Sequence, residues 1–280
     1  MTTTTDRLEA FLGKAVADLG AAASAVLVSI GDELGLYSAL AQQPLSAREL
    51  SQETGTSERY IREWLANQAA SGYVEFDPAD DKYYLNDEQS ACLAGADGPA
   101  DLPGAYQIIR DLFAVRDRAV ENFRSGDGME WGEHHPCLFD GTERFFRAGY
   151  HANLLSSWLP ALDGVVEKLN RGGRAADVGC GHGASTLLMA QAFPNSQFVG
   201  IDYHGPSIDT ARVRAAAAGV ENATFEVADA VSYRGNDFDL VAFFDCLHDM
   251  ADPGGAARHA REALKSDGHC LLVEPFANDD

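Results

Sequence analysis

A regular alternation begins at Arg174 and leaves few folds open to the rest of the chain. Short apolar runs at 175–178, 198–201, 224–227, 240–244 and 270–273 are interleaved with helical stretches at 185–192, 207–217 and 255–264. Parallel neighbours need a crossover long enough to hold a helix, and right-twisted strands return through right-handed crossovers. The expected fold class is therefore α/β, a Rossmann-like, doubly wound, mostly parallel sheet covered on both faces. In such sheets ligands bind where the loops leave the carboxyl ends of the strands. Functional residues are to be sought directly after each apolar run.

Upstream the periodicity is helical. Apolar residues from Arg7 to Gln43, among them Phe11, Val16, Leu19, Val26 and Leu34, predict one or two packed helices. Ser46 with Glu49 forms the signature of a capping box, and Ser57 opens a helix that stops at Gly72. Short strands at 73–76 and 82–85 follow, so helix, turn, helix and hairpin make a winged helix-turn-helix. Stretches 87–104 and 125–142 read as linkers, with helices at 106–123 and 143–169. The expected organisation is a winged-helix domain at 1–104, a helical connector at 105–170 and a ligand-binding domain at 171–280.

Charge decides what the winged helix is for. The chain carries 21 Lys and Arg against 43 Asp and Glu, a net charge of −22 that repels phosphate backbones and anionic membranes. Its second helix offers Arg59 and Arg62, each offset by Glu58 or Glu63. The domain is read as a packing element that forms a homodimer, with neither nucleic acid nor membrane as a partner. The N-terminus lacks a basic region, and the apolar stretch 21–30 is shorter than the roughly 20 residues that cross a bilayer. Five scattered cysteines give no disulfide framework, so the expected location is cytoplasmic.

Asp177-Val178-Gly179-Cys180-Gly181-His182-Gly183 ends the first apolar run and opens a helix. Glycines there let the backbone turn tightly and approach a ligand closely. The next run ends in Asp202, placed to accept hydrogen bonds from a ribose diol. Together they point to a nucleoside-containing cofactor. Gly179-x-Gly181-x-x-Ala184 also satisfies the loose dinucleotide fingerprint, but Asp177 puts negative charge beside the ligand, which suits an amino group and a sulfonium and not a pyrophosphate. No phosphate-loop Lys is present.

The run Asp177 to Gly183, Asp202, Asp229-Ala230 and Phe238-Asp239-Leu240-Val241 resemble the successive motifs of class I S-adenosylmethionine-dependent methyltransferases, over about residues 149–276. The resemblance implies S-adenosylmethionine as cofactor. Asp177, Gly179, Cys180, Gly181 and Gly183 would lie under its methionine portion, Asp202 and Tyr203 at the ribose, and Asp229 and Ala230 at the adenine. With the winged helix, the chain is similar to plant-type small-molecule O-methyltransferases and their bacterial relatives. Leu247-His248-Asp249-Met250-Ala251-Asp252 resembles the Leu-His-Asp-Trp-Ser-Asp stretch whose histidine is the general base, departing at Met250 and Ala251. Glu274 falls where those enzymes carry the acid that orients it. Asp245 and Cys246 are expected at the donor's methionine end, and Phe146 and Tyr150 at the acceptor. The acceptor is expected to be a small organic molecule methylated on a hydroxyl oxygen.

The base pair also stands on chemistry alone. His248 and Glu274 follow neighbouring runs and emerge at the same edge; an imidazole near neutral pKa takes a hydroxyl proton, and a carboxylate fixes its tautomer. Methyltransferase cores of this class end with two further strands, the last antiparallel, whereas this sequence ends shortly after the fifth run. The expectation is a core without those strands, completed by a partner chain if the sequence is not truncated. His134-His135-Pro136-Cys137 has no ligand spacing, and no metal is expected. Two rival readings are a transcriptional regulator that senses S-adenosylmethionine and an NAD-dependent oxidoreductase.

Overall fold

The computed structural model describes residues 4–95 and 100–278, which fall into two compact units. The first comprises Met1–Gly128 and His134–Ala148, the second Met129–Glu133 and Gly149–Asp280. The stretch 105–170, expected as a separate connector, is divided between them.

In the first unit, α1 (Thr4–Glu33) is one continuous helix, followed by α2 (Leu36–Gln42), α3 (Ala47–Glu53) and α4 (Glu58–Ala70). The Ser46–Glu49 capping box forms and fixes the start of α3. Strands β1 (Glu75–Asp77) and β2 (Lys82–Tyr84) pair antiparallel, and Leu45 adds a bridge to Tyr83. The core gathers Leu36, Tyr37, Leu40, Leu50, Ile61, Trp64 and Leu65, with the Trp64 indole donating to the Leu27 carbonyl at 2.8 Å. Only the end of α1 joins it, burying Ala25, Val28 and Gly31. Leu8, Phe11, Leu12, Val16 and Leu19 stay exposed. The apolar segment read as 21–30 is thus part of a 30-residue helix, long and apolar enough by length and composition alone to cross a bilayer.

The stretch 87–104 is not wholly a linker. Asn86 and Gln89 make a second capping box that starts α5 (Asp87–Leu93), a signal present in the sequence but masked by its small and acidic residues; 96–99 lie outside the described residues. Asp101 caps α6 (Leu102–Ala114), which breaks at Val115 before α7 (Arg116–Ser125). Helix α8 (Pro136–Asn153) starts seven residues before the helical stretch read at 143–169, because Pro136 suits a first helical turn. Gly141 lets it cross α6: a Cβ there would stand 2.7 Å from the Gly104 carbonyl oxygen. Arg144, on α8, pairs with Asp32 and Asp101 and ties three segments of this unit together.

In the second unit, a π-helical turn (Leu154–Trp158) and α9 (Val165–Arg171) lead into β3 (Arg174–Val178), α10 (Ala184–Ala192), β4 (Gln197–Asp202), α11 (Gly205–Ala217), β5 (Ala223–Val227), β6 (Phe238–Phe244), α12 (Pro253–Ala263) and β7 (Leu264–Val273). The five strands are all parallel in the order β5-β4-β3-β6-β7. Every residue of β6 is buried, as a central strand covered on both faces requires. Leu240, Ala242 and Phe244 face one core cluster with Leu154, Leu169 and Met189; Val241 and Phe243 face the other with Ala256 and Ala260. The charge inside β6, Asp239, is held by the Lys265 ammonium at 2.9 Å and the Arg174 amide at 2.9 Å. Sheet order reverses between β3 and β6, which makes their carboxyl ends the switch point of the fold.

Candidate active site

The glycine turn leaves β3 at that switch point. Gly179, Gly181 and Gly183 all take left-handed backbone, with φ of 76°, 51° and 80°. Their reasons differ. A Cβ on Gly179 would fall 2.6 Å from the Cys246 sulfur, and one on Gly183 2.8 Å from Phe225, whereas one on Gly181 would meet nothing within 4 Å. Two glycines are thus demanded by packing, and the middle one leaves open space above the turn. The Gly179 and Cys180 amides both donate to the Ile201 carbonyl, which pins the turn to β4.

Asp177 lies beneath this turn, 1% exposed. Ser185 and Thr186, in the first turn of α10, each donate to its Oδ2 at 2.6 Å, while Oδ1 is buried with no hydrogen-bond partner among the described residues. Burial raises its pKa to about 6, against the two hydroxyls that lower it. Asp202 ends β4 and accepts from the Gly181 amide (2.9 Å) and the His204 amide (2.8 Å), which fixes the carboxylate beside the turn; burial pushes its pKa up. Tyr203 is half-exposed, with the Trp131 and Gly132 amides facing its hydroxyl. Asp229, past β5, is exposed and accepts from the Val231 amide, and the neighbouring Ala230 packs on the core.

The second group follows β6 and β7. The Glu274 carboxylate accepts from the Cys246 amide (3.2 Å) and the Leu247 amide (2.8 Å) through Oε1, and bonds His248 Nδ1 through Oε2. Glu274 thus orients the imidazole, leaving Nε2 with Asp249 at 3.5 Å. The Glu274 hydrogen bond raises the His248 pKa, against some desolvation. Asp245 stands with this pair: ligand atoms of Asp245, His248 and Glu274 lie within 4.8 Å of one another. Two carboxylates and an imidazole are donors of a type that binds divalent cations, although His248 and Glu274 are already bonded to each other.

Asp245 was expected at the donor, and its neighbourhood with the base was not legible: it depends on left-handed backbone (φ 53°) at a non-glycine residue. Cys246 donates its thiol to the Val178 carbonyl at 3.1 Å, and burial drives the pKa of both Cys246 and Cys180 upward, so the two thiols stay neutral. Tyr150 tilts against Phe244 with ring centroids 5.4 Å apart and packs on the core, and Phe146 belongs to the first unit, edge-on to Phe145. Ser185 and Thr186 were missed, although hydroxyls in the first turn after a glycine loop are a readable signal.

Fold and site together define a Rossmann-like domain whose ligand-binding edge lies at the switch point of the sheet. Residues 169–279 match the methyltransferase domain family, and residues 22–95 match the family described as Rv2258c-like winged HTH domain. The chain is similar to the 27-O-demethylrifamycin SV methyltransferase of Amycolatopsis mediterranei, 34% identical over 177 residues, covering 62% of this chain and 58% of that one. The chain spans about half the length of the curated relatives it matches. Among solved structures, the mitomycin 7-O-methyltransferase shares the fold with a TM-score of 0.70 at 20% identity, over 98% of this chain and 83% of the other. Human N-acetylserotonin methyltransferase, solved in complex with S-adenosylmethionine, gives 0.66 at 18% identity over 97% and 81%.

Proposed function

We propose that this chain transfers a methyl group from S-adenosylmethionine to a hydroxyl oxygen of a small organic acceptor. The observation that carries the proposal is the His248–Glu274 pair on the same sheet edge as the glycine turn. The residues present fit the donor. Asp177 Oδ1, a buried acceptor lacking a partner among the described residues, suits a cationic amino group, and Asp202 suits a ribose diol. The space above Gly181 is open to the donor's methionine portion, with Gly179, Cys180 and Gly183 shaping the turn and Tyr203, Asp229 and Ala230 following the next two strands. When bound, the donor supplies an electrophilic methyl group on a sulfonium.

His248 does the proton work. With Nδ1 engaged by Glu274, Nε2 is the nitrogen that takes the hydroxyl proton as the oxygen attacks, and Glu274 stabilises the resulting imidazolium. Tyr150, which packs against Phe244 at the end of β6, remains our assignment for acceptor contact, and Asp245 and Cys246 follow the strand that leads to the base. We read this cluster as a base with its orienting acids and not as a metal centre, since the Glu274 oxygens are already taken by two amides and the imidazole.

The first unit is read as the surface that pairs two copies into a homodimer, and the exposed apolar side chains of α1 are what a second copy would cover. Charged residues bracket α1, with Asp6 and Arg7 near its start and Asp32 and Glu33 at its end. Lys14 pairs with Asp18 midway, an arrangement suited to a protein partner more than to a bilayer. Nucleic acid is not the expected partner: Arg59 and Arg62 on α4 each pair with a glutamate one turn away. Free cysteines agree with a cytoplasmic location.

Calorimetric titration with S-adenosylhomocysteine against NAD tests the donor: binding of the first alone supports the proposal, and binding of NAD alone transfers the chain to the oxidoreductases. His248→Ala tests the base, with an expected loss of kcat of about 10²–10⁴-fold at unchanged S-adenosylhomocysteine affinity. Near wild-type turnover in that variant removes the base from the mechanism.

A further inference from the structure

We propose that Asp245 belongs to the base and not to the donor, as a positioning residue whose carboxylate, together with Glu274, brackets the His248 imidazole and stabilises its protonated form. The inference rests on the methyl-transfer reading and sharpens it at one residue.

Three independent features of the backbone and side chain carry it. Asp245 adopts φ 53°, a conformation that costs a non-glycine residue free energy unless its surroundings impose it. They do: its amide donates to the Val273 carbonyl at 2.8 Å, and Glu274 holds the next two amides. The chain therefore bends away from β6 at this point, and the bend brings the Asp245 carboxylate within 4.8 Å of both His248 and Glu274. One oxygen, Oδ1, is buried there with no hydrogen-bond partner among the described residues. A half-buried carboxylate in strained backbone with an unsatisfied oxygen is unfavourable by itself, and the compensating group within reach is an imidazolium.

The charged groups acting on His248 are Asp245 past β6, Asp249 beside it and Glu274 past β7, and each favours its protonated state. Burial lifts Asp245 itself to about 6, against the attraction of His248 and with repulsion from Glu274 and Asp249. Asp245 and His248 therefore titrate as a linked pair, and the charge on one sets the proton affinity of the other. A base strengthened in this way takes a proton from a less acidic hydroxyl, while the acid limb of its activity moves to higher pH.

Asp245→Asn discriminates, because Asn tolerates left-handed backbone and preserves shape while removing the charge. The His248 ring is followed by NMR against pH in the full chain, alongside the pH profile of kcat/KM. The expected result is a lower His248 pKa, an acid limb displaced to lower pH and S-adenosylhomocysteine affinity within about twofold of wild type. An unmoved His248 titration overturns the proposal, as does a tenfold loss of S-adenosylhomocysteine affinity with the acid limb in place, which returns Asp245 to the donor. In the wild-type chain the Asp245 carboxyl carbon should show a second step at the His248 transition, a measurement that needs no variant; a single step also overturns it. If the wild-type chain fails to bind S-adenosylhomocysteine, the methyl-transfer reading falls, and the NMR titrations still decide the role of Asp245.

Discussion

Asp177→Asn sets stability against ligand binding at one atom. The folded chain holds this carboxyl at a pKa raised from 3.8 to about 6 by burial. A raised carboxyl means that the folded state binds more protons than the unfolded one between those two values, so stability falls as pH rises through them. The cost is absent below the lower value, reaches about 1.5 kcal/mol at pH 5 and is fully expressed, at about 3 kcal/mol, by pH 8. Asn removes the charge, and its carbonyl can still accept from Ser185 and Thr186. Its amino group then replaces Oδ1, which has no partner among the described residues, at a cost of about 1–2 kcal/mol that does not vary with pH. Urea unfolding should therefore find the variant near wild type at pH 5 and about 1–2 kcal/mol more stable at pH 8. S-adenosylhomocysteine, whose amino group loses its charged acceptor, should bind about 10–100-fold more weakly. A variant less stable than wild type at pH 8, with no change in the difference between pH 5 and pH 8, would refute the idea that this carboxylate is kept at the expense of stability for a cationic ligand.

Two further outcomes follow from packing. Gly179→Ala should lower stability by about 1–3 kcal/mol and weaken S-adenosylhomocysteine binding, since the new Cβ meets the Cys246 sulfur in a left-handed turn; a fully folded, full-affinity variant would show that the turn yields more than its contacts allow. Replacing Leu12 and Leu19 on α1 by Glu should convert a dimer into a monomer in light scattering without unfolding the second unit, and an unchanged mass would place any pairing surface elsewhere.

Much of the second unit could be read from residue order because its signals are local. The positions of β3 and β4 follow from apolar runs closed by Gly179 and Asp202, that of β5 from a run followed by Ala228-Asp229, and the buried run of β6 marks it as central. Capping boxes made α3 readable, and the same signal at Asn86 and Gln89 was available for α5 beneath a composition that suggested a linker. β7 was read from its apolar end at 270–273 and not from Leu264, because the first residues are polar and enter the sheet through the irregular pairing at Phe238 and Leu240. The sequence leaves open whether 7–43 holds one helix or two, because interrupted apolar periodicity does not show whether a helix continues through Gly13 and Gly20 or where it ends.

The sequence by itself determined the parallel sheet, the glycine turn and the pairing of His248 with Glu274, because strand order and spacing put those residues at known ends of neighbouring elements. Only the tertiary structure decided that Asp177 keeps one oxygen without a partner among the described residues and that Asp245 bends toward the imidazole. Burial and electrostatic neighbourhood are sums over segments distant in the chain: Ser185 reaches back to β3, and Glu274 holds amides 27 and 28 residues before it. No local pattern encodes such sums.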